Sequence, residues 1–283
     1  MSKQRRIQFP GATYHLMSRG NRKTRIFEDA RDRRTFLAIL SDAIERYGVE
    51  CPSYCLVGTH YHCIAHTPRG NVALFMKVVN GNYAQYFNRR HRLTGHLFGG
   101  PYKPLVIGDS CYLRTAMAYV ARNPVEAGLV ATPEKWQWSS YAAMVGLCDP
   151  EPFLATAWLQ RAFPSLTPEE SRQRFANLVL NFHGELVLDD RDVVFGDPEL
   201  QSEVRELIGR TMYLSDIPRS YRALARPELS KVLASVTRRE RITAIRRAHV
   251  VYGYLLSEIA RCLEVHPTTI SRLLAKSRNR RNQ

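Results

Sequence analysis

A short hairpin pattern in the first third of the chain limits the fold more than any other feature. Two apolar runs, Ser53–Val57 and His60–His66, are separated only by a Gly-Thr dipeptide, which predicts an antiparallel β-hairpin. Because side chains alternate along a strand, His60 and His62 would lie on the same face of the sheet. Two neutral imidazoles held side by side supply half of a metal site, although an exposed polar face would show the same pattern.

Extended and helical patterns alternate around this hairpin. They predict, in order, a strand at 13–18, a helix at 36–47, the hairpin, a helix at 72–91, a strand at 104–107 and a helix at 109–122. Asn123-Pro124 would end the last helix, because a residue before proline avoids the helical conformation. This order predicts an α+β fold in which helices pack on an antiparallel sheet, completed by the aromatic segment 136–141. Beyond residue 147 only helical patterns are convincing, among them 204–208 and 229–236.

Charge divides the chain into three parts. Residues 1–150 hold 20 Lys and Arg against 10 Asp and Glu, residues 151–200 hold 4 against 9, and residues 201–283 hold 17 against 7. We therefore predict a first domain at 1–148, an acidic and partly helical connecting region at 149–224, and a second domain with a basic tail at 225–283. No acidic residue occurs from Cys51 to Gly108, a stretch with several basic ones. That favours nucleic acid as the partner over a merely solvated basic surface.

Other bulk features exclude some classes of protein. No stretch approaches the roughly 20 apolar residues that span a bilayer, and no signal-peptide core follows the basic start. The six cysteines form no disulfide framework, as is typical of a reducing compartment. We expect a soluble, cytoplasmic, nucleoid-associated protein without a membrane partner, either a monomer or a homodimer.

The third predicted helix carries two residues that could complete a metal-assisted site. Tyr119 and Asn123 are four positions apart and would share one helix face. A tyrosine phenol can act as a nucleophile but, with a free pKa of about 10, it needs help such as a metal that polarises a phosphate oxygen. An Asn123 oxygen beside two imidazoles would suit Mg²⁺ or Mn²⁺. The spacing alone favours a Tyr119 ring that only packs in the core, and Cys51 with Cys55 leaves a zinc site as a weaker alternative.

Several sequence blocks between residues 5 and 145 carry a family resemblance. They are RIQFPGATYHLMSRGNR, YCLVGTHYHCIAHTP, NGNYAQYFNRRH, GHLFGGPYK, AYVARNPVEAGLV and W-x-W-S-S-Y. In this order they resemble the single-tyrosine HUH transposases of insertion sequences, and most closely their REP-associated tyrosine transposase relatives. The resemblance implies a ferredoxin-like HUH fold and an enzyme that opens single-stranded DNA near a hairpin. It also implies a 5′-phosphotyrosine bond that a 3′-OH later attacks to rejoin the DNA.

The resemblance also assigns roles to individual residues. His60 and His62 correspond to the metal-binding pair, Tyr119 to the nucleophile, and Asn123 to the third metal ligand; it implies no other cofactor than Mg²⁺ or Mn²⁺.

The chain departs from the family pattern at three places. The usual Pro-Asn before the first histidine is Gly58-Thr59, and a usual Gln and Arg are Gly99 and Pro101. These changes leave two alternatives open beside the transposase. One is a DNA-binding regulator whose transposase domain no longer cuts, and the other is a metal hydrolase that makes free ends without a covalent adduct.

Basic side chains near these blocks are the candidates for contact with DNA in the first domain. They are Arg19, Arg89, Arg90 and Lys103. The partners we expect are single-stranded and hairpin DNA.

A second DNA-binding pattern lies near the C-terminal end of the sequence. The stretch LSEIARCLEVHPTTISRLLAKS (256–277) is similar to helix-turn-helix domains such as the DNA-binding end of bacterial replication initiators. Ala260 is small enough for a close helix crossing, Pro267 fits the first turn of a helix, and Glu264 stands where the turn often has glycine. Residues 238–251 would form a supporting helix.

The second helix of this pattern would read duplex DNA, unless the unit is an ordinary helical hairpin. The side chains that would face the major groove are Thr268, Thr269, Ser271 and Arg272.

Overall fold

The computed structural model describes residues 7–165, 167–182, 194–211, 222, 226–234 and 240–279. Contacts divide them between one compact unit that includes residues 8–182 and 194–197 and another that includes residues 198–279. Short helices between 157 and 180 thus group with the first unit, while the predicted boundary near 224 lies outside the described residues. The three-part division predicted from charge stays a prediction.

The first unit is built on a five-stranded sheet. Its strands are β1 (Ala12–Arg19), β2 (Glu50–Leu56), β3 (His60–Thr67), β4 (Lys103–Ile107) and β5 (Val194–Phe195), in the order β2-β3-β1-β4-β5. The first four strands pair antiparallel, whereas β5 lies parallel to β4. The α+β prediction is confirmed, but the sheet is mixed. Two residues are too few to show an alternating pattern, and so β5 left no signal in the sequence.

Two long helices cover one face of this sheet. Helix α1 (Ala30–Tyr47) begins after Asp29, whose carboxylate accepts two backbone N–H groups, and ends at Gly48 in the left-handed conformation. Helix α2 (Val72–His91) lies beside it. The Tyr61 ring of β3 packs against α1, and its hydroxyl donates a 2.6 Å hydrogen bond to Asn80 on α2. The order β1-α1-β2-β3-α2-β4 with strands arranged β2-β3-β1-β4 is the ferredoxin-like pattern.

Helix α3 (Ser110–Glu126) packs on the other face of the sheet. It begins after Asp109, whose carboxylate accepts two backbone N–H groups, and it continues through Pro124 to Glu126. The prediction that Asn123-Pro124 ends the helix was therefore wrong. The proline stands in the last turn, and Asn123 stays helical, one turn from Tyr119.

Three short helices and the aromatic segment complete the first unit. The helices are α4 (Tyr141–Met144), α5 (Ala157–Ala162) and α6 (Pro168–Leu180). The aromatic segment runs along the edge of β2, where the Leu56 N–H donates to the Trp138 carbonyl and the Ser140 N–H donates to the Tyr54 carbonyl. The expectation that this segment closes the first fold agrees with these hydrogen bonds.

The described part of the second unit is helical. Its helices are α7 (Pro198–Thr211), α8 (Leu229–Leu233), α9 (Arg241–Val250), α10 (Leu256–Cys262) and α11 (Pro267–Asn279). A small core of Ile245, Ala248, Tyr254, Ile259, Ala260 and Ile270 holds α9, α10 and α11 together. The predicted helices 229–236 and 238–251 extend into residues outside the described ones. None of the helices in the described residues has the length and apolar character needed to cross a bilayer.

Candidate active site

The hairpin places His60 and His62 near the beginning of β3, on the face of the sheet against which α3 packs. His60 is paired with Arg19 of β1, and His62 is paired with Met17 of β1 and Cys55 of β2. Because cross-strand partners point to the same face, these side chains share the face opposite to Tyr61. The alternation predicted for the histidines is therefore present in the sheet.

Helix α3 brings two further side chains to the histidines. Oδ1 of the buried Asn123 lies 3.1 Å from Nε2 of His60. The half-buried Tyr119 ring is 5.5 Å from the His62 ring, with the two planes nearly perpendicular at 88°. The four residues singled out in the sequence thus converge, although they come from elements separated by more than 50 positions.

A third histidine, which the sequence analysis missed, belongs to the same cluster. Nε2 of His15 on β1 lies 2.8 Å from Nδ1 of His62, and the two rings stack with centroids 5.0 Å apart. The His15 ring also meets the Tyr119 ring edge-on at 5.8 Å. Alternation in TYHLMS could have placed His15 on one strand face, but only the strand order puts β1 beside β3.

Burial keeps all three imidazoles neutral. It lowers the pKa of His15 from 6.5 to about 4, and the pKa of His60 also falls to about 4, through burial and the nearby Arg19 guanidinium. The pKa of His62 lies well below its usual value because of burial, the two neighbouring histidines and Arg19. The hydrogen bond with Asn123 opposes this shift for His60, without reversing it. The ring nitrogens are therefore available as neutral donors of electron pairs.

The donor set fits a divalent cation. Nε2 of His62 is buried and has no hydrogen-bond partner, and Nε2 of His60 lies beside the Asn123 amide oxygen. Imidazole nitrogens together with an amide oxygen are ligands that Mn²⁺ accepts, and open positions filled by water or phosphate would also suit Mg²⁺. Among the described residues, no three His, Cys, Asp or Glu side chains form a metal-binding group. The zinc alternative, which needs such a group, gains no support, and Cys51 is instead 3.7 Å from the sulfur of Cys63.

Two of the residues that depart from the family pattern, Thr59 and Gly99, make defined contacts in the fold. Oγ1 of Thr59 lies 3.0 Å from Nδ1 of His60, so a polar side chain still contacts this ring. The Gly99 N–H donates to the Arg19 carbonyl, and a Cβ at Gly99 would press on the backbone of Asn21 at 3.2 Å. The loop after α2 is therefore fitted closely against the end of β1.

The predicted DNA contacts of the first unit fall into two groups. Arg19 and Lys103 are exposed and share the histidine face of the sheet, since both lie in register with neighbouring β1 and β3 positions. Arg89 and Arg90 lie at the end of α2, which packs on the opposite face. Arg89 is exposed, whereas the Arg90 guanidinium is bound by the carboxylates of Asp29 and Asp32. The structure does not bring these two arginines to the histidines.

The predicted reading residues of the second unit lie on one helix. Thr268, Thr269, Ser271 and Arg272 are all exposed on α11, while Ile270 between them is buried in the core. Pro267 is the first residue of this helix, and the preceding turn holds Glu264 at a φ of 55°.

Comparison with known families finds a match to one part of the chain. Residues 8–123 match the family model described as "Transposase IS200 like". No curated protein matches the chain.

Three solved structures resemble the chain at low identity. A REP-associated tyrosine transposase bound to a REP hairpin is 16% identical, covers 67% of this chain and 100% of its own, and has a TM-score of 0.45. A protein described as a transposase of Deinococcus radiodurans is 19% identical, covers 40% of this chain and 92% of its own, and has a TM-score of 0.31. The tRNA(His) guanylyltransferase of Saccharomyces cerevisiae is 11% identical, covers 76% of this chain and 86% of its own, and has a TM-score of 0.34.

Proposed function

Because residues 8–123 match the IS200-like transposase family model, we propose that this chain is a metal-dependent transesterase of single-stranded DNA. It cleaves and rejoins DNA near palindromic hairpins through a 5′-phosphotyrosine intermediate. The observation that carries the proposal is the convergence of His60, His62 and Asn123 with Tyr119 in one partly buried cluster.

The reaction exchanges one phosphodiester for another. The Tyr119 oxygen forms a bond to the phosphorus, the bond from phosphorus to the 3′ oxygen breaks, and the leaving oxygen takes up a proton as the phenol loses one. The product is a 5′-phosphotyrosine and a free 3′-OH. Since the new linkage is still a phosphodiester, a 3′-OH can attack it later, restore the Tyr119 phenol and rejoin DNA without an external energy source.

The imidazoles and Asn123 would hold the metal that this chemistry needs. A bound Mg²⁺ or Mn²⁺ would polarise a non-bridging phosphate oxygen and neutralise charge that develops on it. His60 and His62 are neutral and lie on β3, an interior strand of the sheet, so the sheet would hold their ring nitrogens in place as uncharged ligands. The half-buried Tyr119 ring lies beside the His62 ring, so its phenol would be close to a metal held by that imidazole.

Positive charge on the histidine face would bind the DNA strand. Arg19 and Lys103 lie on that face on the neighbouring strands β1 and β4, and His60 and His62 lie on β3, on the other side of β1. Side chains of this kind contact phosphates and so position a strand without reading its sequence.

The second unit would supply binding to duplex DNA. Its support is the exposed row of Thr268, Thr269, Ser271 and Arg272 on α11, held by a buried core against α9 and α10. A helix that presents short polar residues and an arginine from its first turns is the geometry that enters a major groove.

A covalent adduct is the decisive test of the proposed function. The protein is incubated with Mn²⁺ or Mg²⁺ and an oligonucleotide that has a hairpin and single-stranded flanks, and the products are separated on a denaturing gel. We expect a protein–DNA band that EDTA prevents and that Tyr119→Phe abolishes. Tyr112→Phe is the matched control on the same helix, where the ring packs against Phe195, and it should keep the band.

The same gel separates the two alternatives. Cut DNA without any adduct would indicate a metal hydrolase. Binding without cutting in either metal would indicate a regulator derived from a transposase. His60→Ala and His62→Ala should each abolish the adduct and keep the fold. An adduct that still forms in both variants and in the presence of EDTA would contradict the proposed requirement for a metal.

A further inference from the structure

His15 and His62 form a buried imidazole pair inside the candidate site. Nε2 of His15 lies 2.8 Å from Nδ1 of His62, and the side chains are only 4% and 1% exposed. The planes of the two rings are nearly parallel, at 17° to each other. The other nitrogen of His62, Nε2, is buried and has no hydrogen-bond partner.

Proton counting in this pair gives two possible arrangements. A hydrogen bond between two neutral imidazoles contains one proton, which belongs either to Nε2 of His15 or to Nδ1 of His62. If His15 donates, the proton of His62 must sit on Nε2, and a buried N–H is then left without an acceptor, which is rare in folded proteins. If His62 donates, its Nε2 presents a lone pair.

We infer that His15 accepts the Nδ1–H of His62 and thereby fixes His62 in the tautomer whose Nε2 can bind a metal. The inference rests on the proposed function, in which His62 is a metal ligand, and it makes His15 a positioning residue for that ligand. Metal-bound histidines commonly donate their second ring N–H to a neighbouring group, which sets the tautomer and the ring orientation. Here the acceptor is a second imidazole on the adjacent strand instead of a carboxylate or a carbonyl.

The tautomer can be observed directly in the metal-free protein. Long-range ¹H–¹⁵N correlation of histidine-labelled protein distinguishes a protonated ring nitrogen from an unprotonated one. The His62 signals are assigned by their loss in a His62→Gln variant. We expect a protonated Nδ1 and an unprotonated Nε2 for His62. A His62 that carries its proton on Nε2 overturns the inference.

Three variants link the tautomer to metal binding. His15→Phe keeps a ring in the stack but offers no acceptor, and we expect Mn²⁺ affinity to fall roughly 10–100-fold. His15→Gln offers an amide oxygen and should restore most of the affinity. His66→Phe is the matched control, since it removes the hydrogen bond from Thr13 to His66 that links the same two strands at 3.1 Å. It should leave Mn²⁺ affinity unchanged.

The outcomes distinguish this inference from the proposed function. A folded His15→Phe protein with the Mn²⁺ affinity of the parent overturns the inference. If His15→Phe does not fold, the parent spectrum and the His15→Gln affinity still decide it. A parent protein that binds Mn²⁺ but never forms an adduct contradicts the proposed function and leaves the His15 role standing.

Discussion

The buried carboxylate of Asp32 on α1 is bound by the guanidinium of Arg90 at the end of α2. Asp32 also accepts hydrogen bonds from the Glu28 backbone N–H at 2.9 Å and from the Tyr86 hydroxyl at 3.2 Å, and His91 lies 3.0 Å away. This cluster joins the beginning of α1 to the end of α2. It also gives the two neighbouring arginines of α2 different roles.

Arg90→Ala should lower stability, while Arg89→Ala should lower DNA affinity. Removal of Arg90 leaves a buried carboxylate without its cation, so we expect the unfolding midpoint to fall by several degrees. Arg89 is exposed, and its loss should change stability little but weaken hairpin binding, with a shallower salt dependence. Thermal unfolding and fluorescence anisotropy on both variants check this. Equal effects of the two variants on DNA binding would contradict the assignment.

Two glycines near the site should respond very differently to alanine. A Cβ at Gly20 would lie 2.1 Å from the Thr24 carbonyl oxygen, whereas a Cβ at Gly58 would meet only the Arg25 guanidinium at 3.9 Å. We expect Gly20→Ala to cost roughly 2–4 kcal/mol of unfolding free energy, and Gly58→Ala to stay within about 0.5 kcal/mol of the parent. Urea unfolding measures both. A large loss for Gly58→Ala would mean that the departure from the family pattern at this turn is structurally required.

The stability of the metal-free first unit should fall as the pH drops from about 6.5 toward 4. The unfolded chain binds protons on its histidines near pH 6.5, whereas burial lowers the folded pKa of His15 and His60 to about 4 and that of His62 further. Because the unfolded state then binds more protons, each group reduces stability by up to about 1.4 kcal/mol per pH unit in this range.

Tryptophan fluorescence in urea at several pH values measures this slope, since all three tryptophans lie in the first unit. His15→Phe removes one of the titrating groups. The slope of unfolding free energy against pH should therefore decrease by the contribution of one bound proton. An unchanged slope would show that His15 is protonated in the folded state.

Glu264→Gly should stabilise the second unit. Glu264 connects α10 to α11 with a φ of 55°, a conformation that costs an ordinary residue energy and a glycine almost none. We expect a gain of about 0.5–1 kcal/mol, seen by circular dichroism during thermal unfolding. Glu264→Ala keeps the strain and is the control. A gain of the same size for alanine would assign the effect to the lost charge.

Arg272→Ala should weaken duplex binding without affecting the covalent step. If this exposed side chain reads a guanine, its loss costs roughly 1–3 kcal/mol of affinity and relaxes sequence preference. Arg46→Ala, an exposed arginine on α1, controls for loss of charge alone. Duplex affinity across a salt series and adduct yield with a hairpin are measured on both. Loss of the adduct in Arg272→Ala with duplex affinity intact would reverse the division of labour proposed for the two units.

Periodic elements of this fold were predictable from the sequence, and short or context-dependent ones were not. The apolar pattern placed a helix at 72–91, and α2 spans Val72–His91. Pro124 misled the prediction for α3, because proline only disfavours the helical conformation before it, and packing against the sheet carries the helix about one turn further, to Glu126. Val194–Phe195 joined the sheet without any local pattern.

The candidate site divides in the same way. Alternation in β3 and the spacing of four in α3 gave two pairs of residues, His60 with His62 and Tyr119 with Asn123. Nothing in either pattern shows that the two pairs meet, and that expectation came from the family resemblance. His15 depended on the order of strands in the sheet, which no local pattern contains.

Because β5 pairs with β4 but follows it late in the sequence, the sheet can be completed only after the ribosome has synthesised β5. Val194 pairs with Val106, yet nearly a third of the sequence separates them. At a translation rate of roughly 5–20 residues per second, the outer edge of β4 waits several seconds for its last strand. During that interval the edge offers unpaired backbone groups to other nascent chains, which is the usual route to strand-mediated aggregation. A ribosome pause within the acidic segment would lengthen the exposure, so codon choice there should influence the yield of folded protein.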